Sequence, residues 1–207
     1  MNATKNLIVA LLMTIVTTVL LGLVYPLLVT GLAQALFPDK ANGQLRSHAG
    51  QTVGSEIIGQ GFAAPGYFHG RASAAGQGYD PTSSGGTNLG PTNKKLIDAV
   101  TAAVDSAKKD NPNAAVPIDM VTTSASGFDP HITPDNAMFQ VPRVAKARGI
   151  GEAELRAFVE SRIEGRQLGF LGEPRVNVLM LNLALDERWR VSSDSTSAPA
   201  ASAASSR

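Results

Sequence analysis

The first part of the chain is apolar and carries no charged residue from Leu7 to Leu36. A helix needs about 20 apolar residues to cross a bilayer, where its backbone polar groups must be satisfied internally. The stretch exceeds that length. Its apolar residues would also surround a helix on all sides, unlike the single stripe of a core-facing helix. The pattern therefore predicts a transmembrane anchor.

A cleaved secretory signal is the alternative interpretation of this stretch, since Ala33-Gln34-Ala35 resembles a cleavage sequence. Signal peptides have an apolar region of about 7 to 15 residues, so the length favours a retained anchor. Pro26 is expected to interrupt the helix because proline removes a backbone donor and clashes with the preceding turn. Leu7 to Tyr25 would then be the spanning part.

The charges beside the apolar stretch predict its orientation. Lys5 precedes it, whereas Asp39 and Lys40 roughly cancel after it. Because basic residues near a span favour the cytoplasmic side, the amino terminus is expected inside and the remaining residues outside.

Small residues recur every fourth position on this helix. They interrupt a surface of Leu, Val, Ile and Met, and are Ala10, Thr14, Thr18 and Gly22. Small side chains let another helix approach closely in lipid, so the stripe predicts a packing face for a partner span. The alternative is that Thr and Gly are merely tolerated there.

Three later stretches have helical periodicity, each with an apolar side that faces a core by default. The first follows a cap at Thr92 or Asn93 and stops at Asn111-Pro112. The second opens at Thr133-Pro134-Asp135, and Pro142 is expected to bend or break it before Gly149. The third covers Glu152 to Glu164.

Strands and loops account for most of the remaining chain. Val53 to Ile58 is expected to be a strand, as is Arg175 to Asp186, where leucines alternate at positions 179, 181, 183 and 185, although a short helix stays open for that segment. The Gly/Ser/Pro-rich stretch from Pro65 to Pro91 is long enough to indicate a functional loop, with disorder as the alternative. Ser192 to Arg207 is expected to be disordered.

The predicted fold class is therefore α+β, with a single N-terminal transmembrane helix followed by one soluble periplasmic α+β domain. The anchor takes residues 1–38, the domain residues 39–190, and a disordered Ser/Ala-rich tail residues 191–207.

Composition narrows the classes of function. Lys and Arg number 18 against 17 Asp and Glu, so no overall basic surface argues for nucleic acid. The chain has no cysteine, which excludes disulfides, thiolate zinc sites and cysteine nucleophiles.

Two segments invite catalytic or ligand chemistry, and neither matches a known pattern well. The loop from Gly85 to Gly90 precedes a helix but lacks the Gly-Lys-Ser/Thr ending of a phosphate-binding P-loop. Asp129 and His131 have a spacing that suits a metal or a proton relay, yet a catalytic metal site needs three protein ligands. Ser126 lies too close to both in sequence for a persuasive hydrolase triad. We therefore expect no catalytic or metal-binding residue, and tight turns explain these segments more simply.

Several motifs, taken in order, closely resemble the C subunit family of the bacterial Kdp potassium-transporting ATPases. Ala125 and Phe128 stand where that family is expected to have Gly and Leu. The resemblance runs from the anchor to about Asp186, and its motifs are Tyr67-Phe-His-Gly-Arg-Ala-Ser-Ala74, Ser84-Gly-Gly-Thr-Asn-Leu-Gly-Pro-Thr-Asn93, Val116-Pro-Ile-Asp-Met-Val-Thr122, Ser124-Ala-Ser-Gly-Phe-Asp-Pro-His-Ile132, Gln140-Val-Pro-Arg-Val-Ala145 and Leu171-Gly-Glu-Pro-Arg-Val-Asn-Val178.

The resemblance implies a non-catalytic subunit of an inner-membrane pump, working with an ion-conducting A subunit, an ATP-hydrolysing B subunit and a small F subunit. ATP and potassium would be handled by the complex, with no cofactor held stably here. Such subunits are described as assembly factors and as chaperones that raise ATP affinity, and in the second account Gln140 contacts the nucleotide. A periplasmic domain conflicts with that account, and Gln140 is expected instead to satisfy backbone groups freed by Pro142.

The alternatives to an accessory subunit are an anchored periplasmic enzyme and an anchored ligand-binding or sensor domain, whose pocket the loop from Pro65 to Pro91 would line. For the accessory subunit, two polar loops are expected to meet the outer face of the ion-conducting subunit, because such loops commonly display binding residues. Their candidate interface residues are Gly85, Gly86, Asn88, Asp129 and His131.

Overall fold

The computed structural model describes residues 2–48 and 50–189 and divides the chain into two compact units. The first unit extends to Leu45 and the second begins at Arg46. The expected tail at 191–207 lies outside the described residues.

The first unit is a long helix followed by a short one. Helix α1 spans Ala3–Val19, a π-helical turn spans Leu20–Val24, and α2 spans Tyr25–Leu36, with α3 at Pro38–Ala41. Ala3–Leu36 counts 34 residues, which at 1.5 Å per residue is about 50 Å. None of its side chains is buried, so by length and composition it is a candidate membrane span.

The expected interruption at Pro26 is wrong, because the helix continues through it. The wide turn of Leu20–Val24 lies directly before the proline, and the Tyr25 amide donates to the Leu20 carbonyl, five residues back. A π-helical turn changes the backbone pairing where proline cannot donate, so the ring is accommodated without ending the helix.

The second unit combines short strands with five helices among its described residues. Strands β1 (Leu45–His48) and β2 (Gln51–Ser55) form a two-stranded sheet, so the strand expected at Val53 to Ile58 begins and ends earlier. Strands β3 (His131–Ile132) and β4 (Val176–Asn177) pair antiparallel, with His131 opposite Asn177. The helices are α4 (Lys94–Asp110), α5 (Ile118–Val121), α6 (Pro134–Arg148), α7 (Glu152–Glu160) and α8 (Val178–Arg188). This mixed helix and strand content confirms the α+β class of the domain.

The capping residues in the sequence predicted the first residues of two helices correctly. The Asn93 side chain accepts from the Lys95 amide at the start of α4, and Thr133 accepts from the Asn136 amide at the start of α6. Helix α6 is followed by Gly149, whose φ of 67° is the left-handed conformation common after a helix. Helix α7 ends four residues before the predicted Glu164.

Pro142 was expected to bend or break α6, and the helix is not broken there. Val141, Val144 and Ala145 around it are buried in the core. A proline inside a helix costs about 3 kcal/mol, and the burial of these neighbours offsets a loss of that size.

The segment from Arg175 to Asp186 is mainly helix α8, so the predicted strand is limited to Val176–Asn177. Residues at both odd and even positions are buried there, including Leu179, Leu181, Asn182 and Leu185. A strand buried on one face would hide alternate residues only, and a continuous apolar run does not separate a buried helix from a strand. The core lies among α6, α7, α8, β4 and the loop residue Phe68.

Candidate functional site

Two amide side chains hold one short segment of the long loop, Phe68 and His69. Asn182 of α8 accepts from the Phe68 amide and donates to the Phe68 carbonyl, both at 2.9 Å. Gln140 of α6 accepts from the His69 amide at 2.8 Å and donates to the His69 carbonyl at 3.0 Å. The two amides thereby satisfy the backbone N–H and C=O groups of both residues, which have no strand or helix to pair with. We call Asn182 and Gln140 the amide clamp.

Two arginines bind the three residues that directly precede this segment. Arg143 donates to the Pro65 carbonyl at 2.7 Å and to the Tyr67 carbonyl at 3.1 Å. Arg148 donates to the Gly66 carbonyl at 2.5 Å and pairs with Asp186 at 2.7 Å, its side chain only 2% exposed. The consecutive carbonyls of this loop therefore face cations rather than water.

The aromatic ring of Tyr67 completes this end of the loop. Its hydroxyl donates to Asp186 at 3.0 Å, and the Arg148 guanidinium lies 4.8 Å from its ring centre. Burial, and then the bond to Asp186, raise the pKa of Tyr67. These contacts favour an ordered loop over the disordered alternative at its first residues.

Gln140 itself is 2% exposed, and its amide makes four hydrogen bonds. Besides the two to His69, it donates to Asn136 at 2.8 Å and accepts from Arg143 at 2.7 Å. The expectation that Gln140 satisfies backbone groups freed by Pro142 is wrong, because its backbone partner is His69. Its hydrogen-bonding capacity is filled within the domain.

A buried carboxylate anchors the far end of this polar network. Asp119 of α5, only 7% exposed, accepts from the Thr133 amide at 2.8 Å, from the Thr133 hydroxyl at 3.0 Å and from Asn136 at 3.0 Å. Asn136 in turn bonds Gln140, so the network runs from α5 through α6 to the loop. A buried polar network with its members satisfied specifies one arrangement of the elements that it joins.

The two polar loops proposed as an interface touch each other. The Gly85 amide donates to the Ser126 carbonyl at 3.2 Å, and the Ser84 hydroxyl donates to the same oxygen at 2.8 Å. A Cβ on Gly86 would lie 3.0 Å from the Ala125 carbonyl oxygen, so a side chain there would crowd the neighbouring loop. Gly85 and Gly86 therefore belong to one composite surface with Ala125 and Ser126.

Asp129 and His131 follow this surface closely in the chain and make contacts of their own. Asp129 accepts from the His131 amide at 3.0 Å and pairs with Arg71 at 2.9 Å. The His131 ring lies 3.8 Å from Asp129, and burial is the main cause that lowers its pKa. These hydrogen bonds support the interpretation that Asp129 and His131 hold a turn together.

The contacts near Ser126, Asp129 and His131 differ from those of a hydrolase triad and of a metal site. Ser126 accepts from the Phe128 amide at 3.1 Å, which is a local turn contact rather than a link to His131. Within residues 2–48 and 50–189, no group of three or more His, Asp or Glu side chains is placed to hold a metal ion.

Asn88 is the candidate that differs from the others. It is exposed, its φ is 53°, and its side chain makes no hydrogen bond to the part of the chain that the structure describes. The left-handed backbone favours Asn at this position, but no hydrogen bond within the described residues uses its side-chain amide.

The stripe of Ala10, Thr14, Thr18 and Gly22 lies along the exposed long helix. Thr14 donates to the Ala10 carbonyl at 2.9 Å, so its hydroxyl is satisfied within its own helix. A Cβ on Gly22 would meet only Thr18, at 3.9 Å. Positions four apart drift by about 40° per step on an α-helix, and the wider π-helical turn around Gly22 rotates that residue back toward the stripe.

A cleft of about 500 Å³ lies elsewhere, between the segment after α4 and helix α6. None of its lining residues comes from the loop between Pro65 and Pro91, where a ligand-binding pocket was expected. They are Asn111, Ala114, Ala115, Val116, Pro117, Asp135, Met138, Phe139 and Arg156.

Sequence reasoning missed most of the residues that hold the loop, namely Asp119, Asn136, Arg143, Arg148 and Asn182. One signal was visible, because Asn182 interrupts an otherwise apolar run. A polar residue at a core position requires a partner, although the sequence does not say which.

The chain matches the family model described as KdpC, the c chain of K+-transporting ATPase, over residues 7–187. A potassium-transporting ATPase KdpC subunit from Koribacter versatilis (strain Ellin345) is 64% identical over 182 residues, which cover 88% of this chain and 94% of the relative. KdpC subunits from Myxococcus xanthus and from Caulobacter vibrioides (strain NA1000 / CB15N) are each 56% identical. These alignments cover 84% and 83% of this chain, and 84% and 88% of the relatives. The chain therefore belongs to the KdpC family of K+-transporting ATPase subunits.

Proposed function

We propose that this protein is a non-catalytic accessory subunit of a potassium-transporting P-type ATPase in the bacterial inner membrane. The observation that carries the proposal is the exposed apolar helix Ala3–Leu36, joined to a domain of a family whose relatives are named as subunits of such an ATPase. The helix anchors the subunit. The domain stabilises assembly of the ion-conducting A subunit with the ATP-hydrolysing B subunit and the small F subunit.

Gln140 serves this function as part of the amide clamp and not as a nucleotide contact. Its two amide donors and its carbonyl oxygen already bond His69, Asn136 and Arg143. A nucleotide would have to break buried hydrogen bonds to reach it, and each unpaired buried group costs about 1–3 kcal/mol. ATP and potassium are handled by the other subunits.

The composite surface of residues 84–88 and 124–126 faces the outer side of the ion-conducting subunit. Support comes from Asn88, whose exposed amide has no partner among the described residues, beside a backbone that the Gly85 and Ser126 contact holds in place. Asp129 and His131 act behind this surface by shaping the turn.

Substitution separates docking from folding at this surface. Asn88→Gly removes the amide and keeps the left-handed backbone accessible, so it is expected to reduce co-purification of the detergent-extracted chain with the A and B subunits while leaving its melting temperature nearly unchanged. Asp129→Ala is expected to lower the melting temperature, because it removes both the Arg71 ion pair and the His131 bond. If Asn88→Gly leaves co-purification intact, the docking face lies elsewhere.

The domain lies on the periplasmic side, with the amino terminus in the cytoplasm. Lys5 before the apolar helix, without a matching basic excess after it, supports this orientation. Protease added to right-side-out vesicles is expected to digest residues after Asp39. Digestion restricted to inverted vesicles would refute the orientation and restore the nucleotide-chaperone account.

A further inference from the structure

An exposed apolar hairpin projects from the soluble unit between α7 and β4. Glu164 and Arg175 form its base by exchanging two backbone hydrogen bonds, at 2.8 and 3.0 Å. The Leu171 amide donates to the Gln167 carbonyl at 2.9 Å, and the Gln167 amide donates to the Leu171 carbonyl at 2.9 Å. The hairpin is therefore an ordered element with a fixed tip.

The tip of this hairpin is apolar and faces solvent. Leu168 is 83% exposed, Phe170 69% and Leu171 46%. No charged residue occurs from Gln167 to Gly172. Burial in the domain core thus does not explain why these three side chains are apolar.

Backbone strain at the tip indicates a role outside the fold. Leu168 has a φ of 52° and is followed by Gly169 at 82°. This left-handed conformation favours Gly, Asn or Asp and costs a branched residue such as leucine about 1–2 kcal/mol. A strained, almost fully exposed leucine gives the domain no packing in return, so its benefit must come from something that it contacts.

The charged residues in the stem of the hairpin form ion pairs with one another. Arg166 lies 2.5 Å from Glu173, and Arg175 lies 3.0 Å from Glu164. The pairs leave no net charge on the stem, so an occupant of the tip is selected by apolar contact rather than by charge.

We propose that Leu168, Phe170 and Leu171 insert into the lipid surface of the bilayer that the chain's own helix enters. The inference rests on the proposed membrane anchor. Because the hairpin is joined covalently to that helix, the bilayer is present at high effective concentration. A shallow apolar tip enters the boundary between headgroups and acyl chains without needing a matching shape.

The size of the tip favours lipid over a protein partner. Its three side chains expose on the order of 300 Å². A specific protein interface needs about 800 Å² on each partner, with a polar rim around its apolar centre. The convex tip has neither this area nor such a rim.

The test places a tryptophan at the tip of the full chain in liposomes. Trp189 is the only tryptophan, so Trp189→Phe provides a silent background for Phe170→Trp. Brominated zwitterionic phosphatidylcholine is expected to quench this fluorescence about twofold or more, because bromine acts only at contact depth in the bilayer. The matched control is Ile118→Trp, whose position on α5 is 77% exposed, and it is expected to stay unquenched.

A second variant separates membrane contact from folding. Leu168→Asn is expected to raise the melting temperature by roughly 2–4 °C, because asparagine tolerates the left-handed conformation, and to weaken quenching of the tip tryptophan. A lower melting temperature would mean that Leu168 serves the fold, which overturns the proposal.

The remaining outcomes are separable from failure of the anchor. If the full chain does not float with liposomes, the proposed anchor fails. If it floats and the tip tryptophan is not quenched, the hairpin proposal alone is overturned. The proposal is equally overturned if the tip becomes shielded from aqueous iodide only after the other pump subunits are added, which would indicate a protein partner.

Discussion

Replacement of Gln140 by leucine tests whether this residue holds the fold or binds nucleotide. Leucine has a similar size and no hydrogen-bonding group, so the change removes the contacts to His69, Asn136 and Arg143 while keeping most of the buried volume. The His69 amide and carbonyl lose their partners in a half-buried loop, and Asn136 loses its donor in the core.

The structure sets the size of the expected effect. Two backbone groups left unpaired cost about 1–3 kcal/mol each, and water reaching the half-buried loop recovers part of this. We expect a loss of about 2–4 kcal/mol in the free energy of unfolding. For a domain of this size that corresponds to a fall of roughly 5–15 °C in melting temperature.

Trp189 provides the assay for the full chain in detergent. Its ring packs edge-on against Phe158 at 5.0 Å, so its fluorescence reports unfolding of the soluble unit and not of the apolar helix. Gln77→Leu is the matched control, since Gln77 is exposed in the same long loop. An unchanged midpoint for Gln140→Leu, together with a weaker ATP affinity of the assembled pump, would refute the clamp and support direct nucleotide contact.

Two further predictions concern acid stability and the stripe. Burial, and then Arg143, lower the pKa of His69, so the folded state binds its proton less readily than the unfolded state. The free energy of unfolding should therefore fall as pH drops from about 6.5 toward the lowered pKa. In urea titrations, His69→Gln should reduce this dependence of the unfolding free energy on pH. An unchanged pH dependence would contradict the role given to His69. Gly22→Leu should loosen the assembled pump on gel filtration, whereas Leu11→Ile should not. Because a side chain at Gly22 has open space within this chain, such an effect would come from a partner helix. Equal effects of the two variants would show that the stripe is not a packing face.

The sequence by itself determined the features that depend on neighbouring residues. The long apolar helix followed from the absence of charge between Leu7 and Leu36. The starts of α4 and α6 followed from the caps Asn93 and Thr133, because a cap acts within three residues of its own position. The family followed from motifs that are contiguous in the chain, and its identification is confirmed.

Tertiary structure decided where local signals conflicted with packing. A proline inside a helical pattern predicts a bend or a break, yet α6 continues past Pro142 because the neighbouring residues are buried. Alternating leucines read as a strand, yet α8 forms because the segment is buried on more than one side. At Pro26 the conflict was resolved by a π-helical turn that periodicity does not predict.

The amide clamp lay furthest beyond sequence reasoning. Asn182 bonds Phe68 across 114 residues, and Gln140 bonds His69 across 71. A sequence marks such residues as polar and shows that a buried amide needs partners, but the partner is chosen by whichever backbone groups the fold brings beside it. The sequence therefore determined the helices and the family, and only the packed domain decided which loop those helices hold.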